Sequence, residues 1–249
     1  MNRKGILISN PGESGEENYC EGVKKDVANY RSFLLSSIGG LWRESEIEGL
    51  NRPSVTQVRQ AISSLRNLDY SLIIFTGHGY HDTRLDSTML ELRSGHLLDS
   101  SELREGSKKQ TLILDCCRKK YPVKPTLMMD SARMLKKAAV INPSDCRKYY
   151  NSRINECGDG LIVIHSCNID ELSGDDATRG GYYSYALLEE SRKWAEDSDT
   201  DTSRSVGFLS LPMAHKSALP RVRSISGTRQ SPQIEKPRTG PYFPFCIVA

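Results

Sequence analysis

Four short apolar runs stand out along the chain: GILIS (residues 5–9), SLIIF (71–75), TLILD (111–115) and LIVI (161–164). None alternates with polar residues, so each predicts a strand covered on both faces. Between them the period changes. Val23, Val27, Tyr30 and Leu34 recur at spacings of three and four, as do Val55, Val58, Ile62 and Leu65, which puts each set on one helix face. GGYYSYALLEESRKW (180–194) reads as a helix entered from a glycine pair. Strands alternating with helices predict βαβ crossovers and an α/β fold, a mostly parallel central sheet with helices on both faces. PYFPFCIV (241–248) predicts a last strand, with Pro244 marking an edge.

Composition narrows the setting. The chain has 249 residues, 37% hydrophobic and 26% charged, enough for one α/β core. Lys+Arg at 34 against Asp+Glu at 31 leaves a formal +3, which argues for neither a nucleic-acid nor a membrane partner. Seven cysteines, an odd number without a CxxC repeat, favour a reducing compartment over a disulfide framework. The opening MNRKGILISNPGESG lacks a secretory apolar stretch and no later run reaches membrane length, so the expected location is cytoplasmic.

In open α/β sheets ligands gather at the carboxyl ends of strands, and the reactive residues fall there. The second run ends in TGHGYHD, with His78 in a glycine-flanked turn, and the third ends in DCCRKK. Strand alternation sends Asp115 and Cys117 to one side and Cys116 to the other. Cys117 is then the candidate nucleophile and Cys116 a packing residue. A free thiol is mostly protonated at neutral pH and needs an imidazole, here His78, to ionise it or to protonate a leaving amine. The amides of Gly79 and Cys117 are candidate oxyanion donors. His81 is the fallback base. His96 and His215 fall in polar stretches read as loops, and His165 ends the fourth strand. A cysteine or histidine taken alone is usually structural; the coincidence of two strand ends carries the catalytic reading.

At these residues the sequence resembles the caspase-like cysteine peptidases, in particular the metacaspase and bacterial caspase-homologue branch. FTGHG (75–79) resembles that group's histidine turn and LILDCCR (112–118) its Asp-x-Cys nucleophile turn, with Arg118 matching the Cys-Arg pair of true caspases. The separation of His78 and Cys117, roughly 40 residues, is near the family's spacing of roughly 50. YCEGVKKDVANYRSFL (19–34) is similar to the family's first helix, and the segment 160–190 to its small-subunit opening. Two positions depart. Lys119 and Lys120 replace the small residues that often follow the nucleophile, and Gly22, Val23 and Asp26 stand where the family commonly has Gly-Cys-x-x-Asp. The resemblance implies a caspase-type three-layer sandwich with Cys117 as nucleophile and His78 as its partner. It divides one domain into a large-subunit-like part (1–118), a linker (119–159) and a small-subunit-like part (160–249).

The resemblance also places Asp26, Val23 and Thr76 around the pocket that Asp115 borders. Carboxylates lining one pocket favour a cation, so cleavage after Arg or Lys is expected. Asp170 and Glu171 could add negative charge. The long linker is expected to carry a helix around 127–139 and, through Lys119, Lys120, Lys124, Arg133, Lys136, Lys137, Arg147, Lys148 and Arg153, sites for activating cleavage by itself or by an upstream protease. EDSDTDTSRS (196–205) and the basic segment 216–229 read as surface loops. No cofactor is required on this reading. The resemblance leaves calcium activation open, with Asp175, Asp176, Asp197, Asp199 and Asp201 as oxygen ligands without EF-hand spacing, and a zinc site from Cys116, Cys117, His165 and Cys167 lacks ligand spacing. The expected partners are protein substrates, with monomer or homodimer left open. The expected role is regulated proteolysis in cell death or defence. The competing reading is a catalytically silent homologue that acts as a binding module.

Overall fold

The computed structural model describes residues 1–16, 18–120, 143–200 and 207–248, the side chains of 143, 144, 199 and 200 excepted. The expected helix at 127–139 lies outside them. In chain order the elements are β1 (Arg3–Asn10), α1 (Gly22–Leu35), β2 (Ile47–Asn51), α2 (Val55–Ser63), β3 (Tyr70–Gly77), β4 (Gly79–Asp82), β5 (Ser87–Arg93), β6 (His96–Asp99) and β7 (Lys109–Cys116). They continue with α3 (Pro143–Glu156), β8 (Gly160–His165), β9 (Asp175–Asp176), β10 (Gly180–Gly181), α4 (Tyr182–Thr200), β11 (Gly207–Ser210), α5 (Leu211–Ser226), β12 (Gln233–Glu235) and β13 (Pro244–Val248).

The four apolar runs are the middles of β1, β3, β7 and β8, which pair in parallel. With β2 parallel at one edge and β12 antiparallel at the other, they form a six-stranded sheet in the order β12-β8-β7-β3-β1-β2. Their alternation splits the core in two. Leu7, Leu72, Ile74, Ile113, Ile162 and Ile164 face one cluster with residues of α1, α3, α4 and α5. Ile6, Ile8, Ile73, Phe75, Leu112 and Leu114 face the other, with α2 and the antiparallel β4-β5-β6 sheet. Each face is therefore covered by helices together with a small sheet, β11-β13 on the first and β4-β5-β6 on the second. Each fully buried Ile, Leu or Phe contributes about 1.5–3 kcal/mol, which holds the strand ends at fixed height.

Three expectations are corrected. The segment 216–229 is mostly α5, not a loop: Ala214, His215, Ala218 and Val222 are buried against α4, and Gly227 ends the helix in the left-handed conformation. Pro220 inside the helix and the small residues of its inner face disguise the period. His215 accordingly lies in the core, with Nδ1 3.0 Å from the Tyr183 hydroxyl. Helix α4 runs to Thr200, so the acidic stretch begins inside a helix. β13 is the expected last strand and an edge, in a two-stranded antiparallel sheet with β11 that lies outside the main sheet. Within the span read as a linker, α3 buries Cys146, Tyr150 and Ile154 in the first core cluster. No helix among the described residues is long and apolar enough to cross a membrane.

Candidate active site

Neighbouring parallel strands deliver the two candidate reacting groups to one end of the sheet. The register of β3 and β7 pairs Thr76 with Asp115 and Gly77 with Cys116. His78 and Cys117 are thus each the first residue past the last paired position, on strands about 4.8 Å apart. Crowding accounts for the glycines beside His78. A Cβ on Gly77, at φ +147°, would come 2.4 Å from the Asn10 carbonyl oxygen, and one on Gly79 would come 2.8 Å from Cys116 Sγ. Larger residues there would force the histidine turn away from β1 and β7.

Alternation parts the two cysteines. Cys116 joins the second core cluster, and burial pushes its thiol well up. Asp115 turns to the helical side, where Oδ1 accepts from Ser173 Oγ at 2.7 Å and Oδ2 from the Ser184 amide at 3.1 Å and hydroxyl at 2.5 Å. Asp26 of α1 arrives beside it, accepting from Thr76 Oγ1 at 2.7 Å and from the Gly181 amide at 2.9 Å. Burial, reinforced by the Asp115 charge, holds Asp26 well above the usual carboxylate range. Asp175 of β9 is the third carboxylate, its Oδ2 accepting the Gly22 amide at 2.9 Å. Burial raises it as well, and the Gly22 amide opposes the rise. Among the described residues the hydrogen bonds to these three groups come from Gly22, Thr76, Ser173, Gly181 and Ser184, all neutral donors.

Cys117 Sγ accepts the Ser173 amide at 3.4 Å and lies 3.6 Å from the Ser173 carbonyl oxygen. Burial pushes the thiol up to about 11; the Ser173 amide works against that, and Asp115 and Asp175 add to it. The sulfur within hydrogen-bond reach of His78 belongs to Cys20, at 3.7 Å from Nε2 and 3.9 Å from Nδ1. Among the described residues no hydrogen bond joins Cys117 to His78 in this arrangement.

The remaining candidates divide. Thr76 sits with Asp26 and Asp115, and Val23 is buried in the first turn of α1. Gly79 opens β4 opposite Leu90. Asp170 and Glu171 are not brought into the carboxylate group. Asp170 pairs with Lys119 at 3.6 Å, and the Glu171 carboxylate accepts the Ser231 and Asn168 amides at 2.7 and 3.1 Å. Their main chains instead brace the turn after Cys117: the Arg118 amide donates to the Glu171 carbonyl at 3.0 Å and the Arg118 carbonyl accepts from the Asp170 amide at 2.9 Å. The Arg118 guanidinium reaches Thr88 Oγ1 at 3.0 Å and the Cys167 carbonyl at 3.4 Å. His81 faces Asp86, 3.4 Å away, and His165 faces Glu235, 3.2 Å away. Asp175 and Asp176 part company, since Asp176 Oδ1 accepts the Thr178 and Arg179 amides in its own turn. Asp197 lies in α4, whereas Asp201 and the Asp199 side chain are outside the described residues. Among the described residues no three His, Cys, Asp or Glu side chains are grouped to hold a metal.

Sequence reasoning missed Cys20 and Ser173 and weighed Asp175 only as a calcium oxygen. Their partners are far off in sequence: 58 residues separate Cys20 from His78 and 153 separate Gly22 from Asp175.

No curated protein matches the chain in sequence. Among solved structures, caspase-1 from Spodoptera frugiperda superposes with a TM-score of 0.57 at 14% identity, over 94% of this chain and 87% of that one, a likeness of fold. The family model described as "Caspase domain" matches residues 3–243, and the chain therefore belongs to the caspase-domain family of cysteine peptidases.

Proposed function

We propose that the chain is a cysteine endopeptidase that cleaves proteins after Arg or Lys. The observation that carries the specificity is the group formed by Asp26, Asp115 and Asp175 next to Cys117, all hydrogen-bonded by neutral donors. A P1 guanidinium or ammonium supplies the missing positive charge, whereas a P1 carboxylate would be repelled. In this reading His78 takes the Cys117 proton and the thiolate attacks the scissile carbonyl. The oxyanion lies against the amides of Gly79 and Cys117, and His78 returns the proton to the leaving amine. Water then hydrolyses the thioester. Seven cysteines, an odd number without a CxxC repeat, fit a reducing compartment, and regulated proteolysis in cell death or defence is the role that fits.

Activation by a cut after β7 belongs to the same reading. In α3, Arg147 bridges the Leu41 carbonyl and Glu46, Lys148 pairs with Asp145, and Arg153 pairs with Glu156. Helical backbone does not fit a peptidase cleft, which takes extended chain. The cut is therefore expected ahead of α3 and of the helix expected at 127–139, at Lys119, Lys120 or Lys124. A fully active enzyme of unchanged intact mass would show that no cut is needed.

Fluorogenic peptides that differ only at P1 test the function with wild type and Cys117→Ala. Cleavage after Arg or Lys that vanishes in the variant is expected. Faster cleavage after Asp, or activity that survives in Cys117→Ala, would overturn it. A folded protein silent toward every peptide, before and after nicking, would favour the binding module.

A further inference from the structure

The imidazole assigned to Cys117 is held by a different thiol. Cys20 Sγ lies at nearly equal distances from both ring nitrogens of His78, 3.7 and 3.9 Å, and the loop that carries it closes on itself through the Cys20 amide and the Pro11 carbonyl at 2.8 Å. Gly12 of the same loop also lies against the ring, close enough that a Cβ there would stand 3.0 Å from His78 Nε2. The ring is therefore gripped by the segment between β1 and α1, while Cys117 spends its hydrogen bonds on Ser173.

We infer that Cys20 is a positioning residue that parks His78 away from Cys117 in the resting site, so that the imidazole must leave Cys20 before it can serve the nucleophile. The inference rests on Cys117 and His78 being the catalytic pair. The site holds two thiols and one base, and the base can assist only the thiol it reaches. A raised Cys117 thiol is what a nucleophile without its imidazole should show. Substrate that fills the acidic pocket enters beside Gly22 and Asp175, just past Cys20 in the chain, and is placed to shift that loop.

The test is the rate at which iodoacetamide alkylates Cys117, read at its own peptide by mass spectrometry across neutral pH. It needs no substrate and is unaffected by whether Cys20 also reacts. Wild type, Cys20→Ala, Cys20→Ser, His78→Ala and the Cys20→Ala, His78→Ala double variant are compared. Cys20 is half-buried in a loop, so its truncation leaves the core intact. Freed from Cys20, His78 should lower the Cys117 thiol by at least one pH unit, so Cys20→Ala should react about tenfold faster at neutral pH, with its profile moved toward acid. Cys20→Ser, which keeps a donor on the ring, should keep the wild-type profile. A Cys20→Ala rate no faster than wild type, with His78→Ala slower than both, would overturn the parking role and leave the catalytic pair standing. His78→Ala alone should match wild type, because the parked ring does not assist Cys117; a Cys20→Ala, His78→Ala double variant as fast as Cys20→Ala would instead remove the pair itself.

Discussion

Replacing Asp175 with asparagine isolates the charge of the proposed P1 pocket. Asp26 is wholly buried and raised, and both Asp115 oxygens are engaged by Ser173 and Ser184, but Asp175 is half-buried and commits only Oδ2, to the Gly22 amide. Asparagine keeps the shape and the acceptor for Gly22 and removes one negative charge. For a guanidinium about 4 Å away, the Coulomb energy at an effective dielectric of 20 is about 4 kcal/mol. Partial exposure and the two remaining carboxylates leave about half of that, ~2 kcal/mol, or roughly 30-fold in kcat/KM. The assay compares peptides with P1 arginine and P1 citrulline, which share shape and differ in charge. The arginine-to-citrulline ratio should fall about 30-fold in Asp175→Asn, with citrulline kinetics within about twofold of wild type. Because burial raises Asp175, acidification should protonate it and lower the wild-type ratio, while the variant's ratio stays flatter. An unchanged ratio, or an equal loss for both peptides, would refute the electrostatic reading.

Asp26 has a folded-state pKa above its unfolded value, so its contribution to stability is present in acid and is lost as pH rises through the raised value. The stability of wild type relative to Asp26→Asn should therefore decline from acid to neutral pH, which melting temperatures of the two proteins would show; parallel curves would contradict it. Gly181→Ala would put a methyl 2.5 Å from Asp115 Oδ2 and 3.1 Å from Asp26 Oδ2. Relief needs a shift of about 1 Å, enough to cost about 100-fold in kcat/KM for P1 arginine, and an undiminished value would separate the carboxylates from substrate. Glu235 is held down to about 2, chiefly by its hydrogen bond from His165 and next by Arg104. Burial lowers His165, leaving it uncharged at neutral pH, so the cation opposite Glu235 is Arg104. The stabilisation is present above the ordinary glutamate range and is lost as pH falls through about 2. The stability deficit of Glu235→Gln at neutral pH should accordingly vanish in strong acid, as urea unfolding at several pH values would show.

The strands were legible where burial on both faces left no polar alternation, as in residues 71–75 and 111–115, and the alternation rule put Asp115 and Cys116 on opposite sides of β7. Edges were not. β12 is three residues, Gln233–Glu235, with two exposed, and β2 buries only Ile47, so neither forms an apolar run. α5 hid behind Pro220 and the alanines of its buried face. These misses share a cause. A sequence pattern registers contrast between buried and exposed positions, and short edges or small-residue faces carry little of it.

The site shows a different limit. His78 and Cys117 could be read because each follows its own strand, a local fact. The sign of the pocket between them is not local. Lys119, Lys120 and Arg118 follow Cys117 directly, and proximity in sequence would surround its thiol with positive charge. Instead Lys119 turns to Asp170, Arg118 runs to Thr88 and the Cys167 carbonyl, and three carboxylates arrive from α1, β7 and β9. What brings them together is the placement of α1 and the β9–β10 turn over the ends of β3 and β7. The same placement brings Cys20 onto His78 across 58 residues. Residue types at strand ends thus locate the candidate chemistry, while on the proposed reading substrate charge and the availability of the base follow from how distant segments close over it.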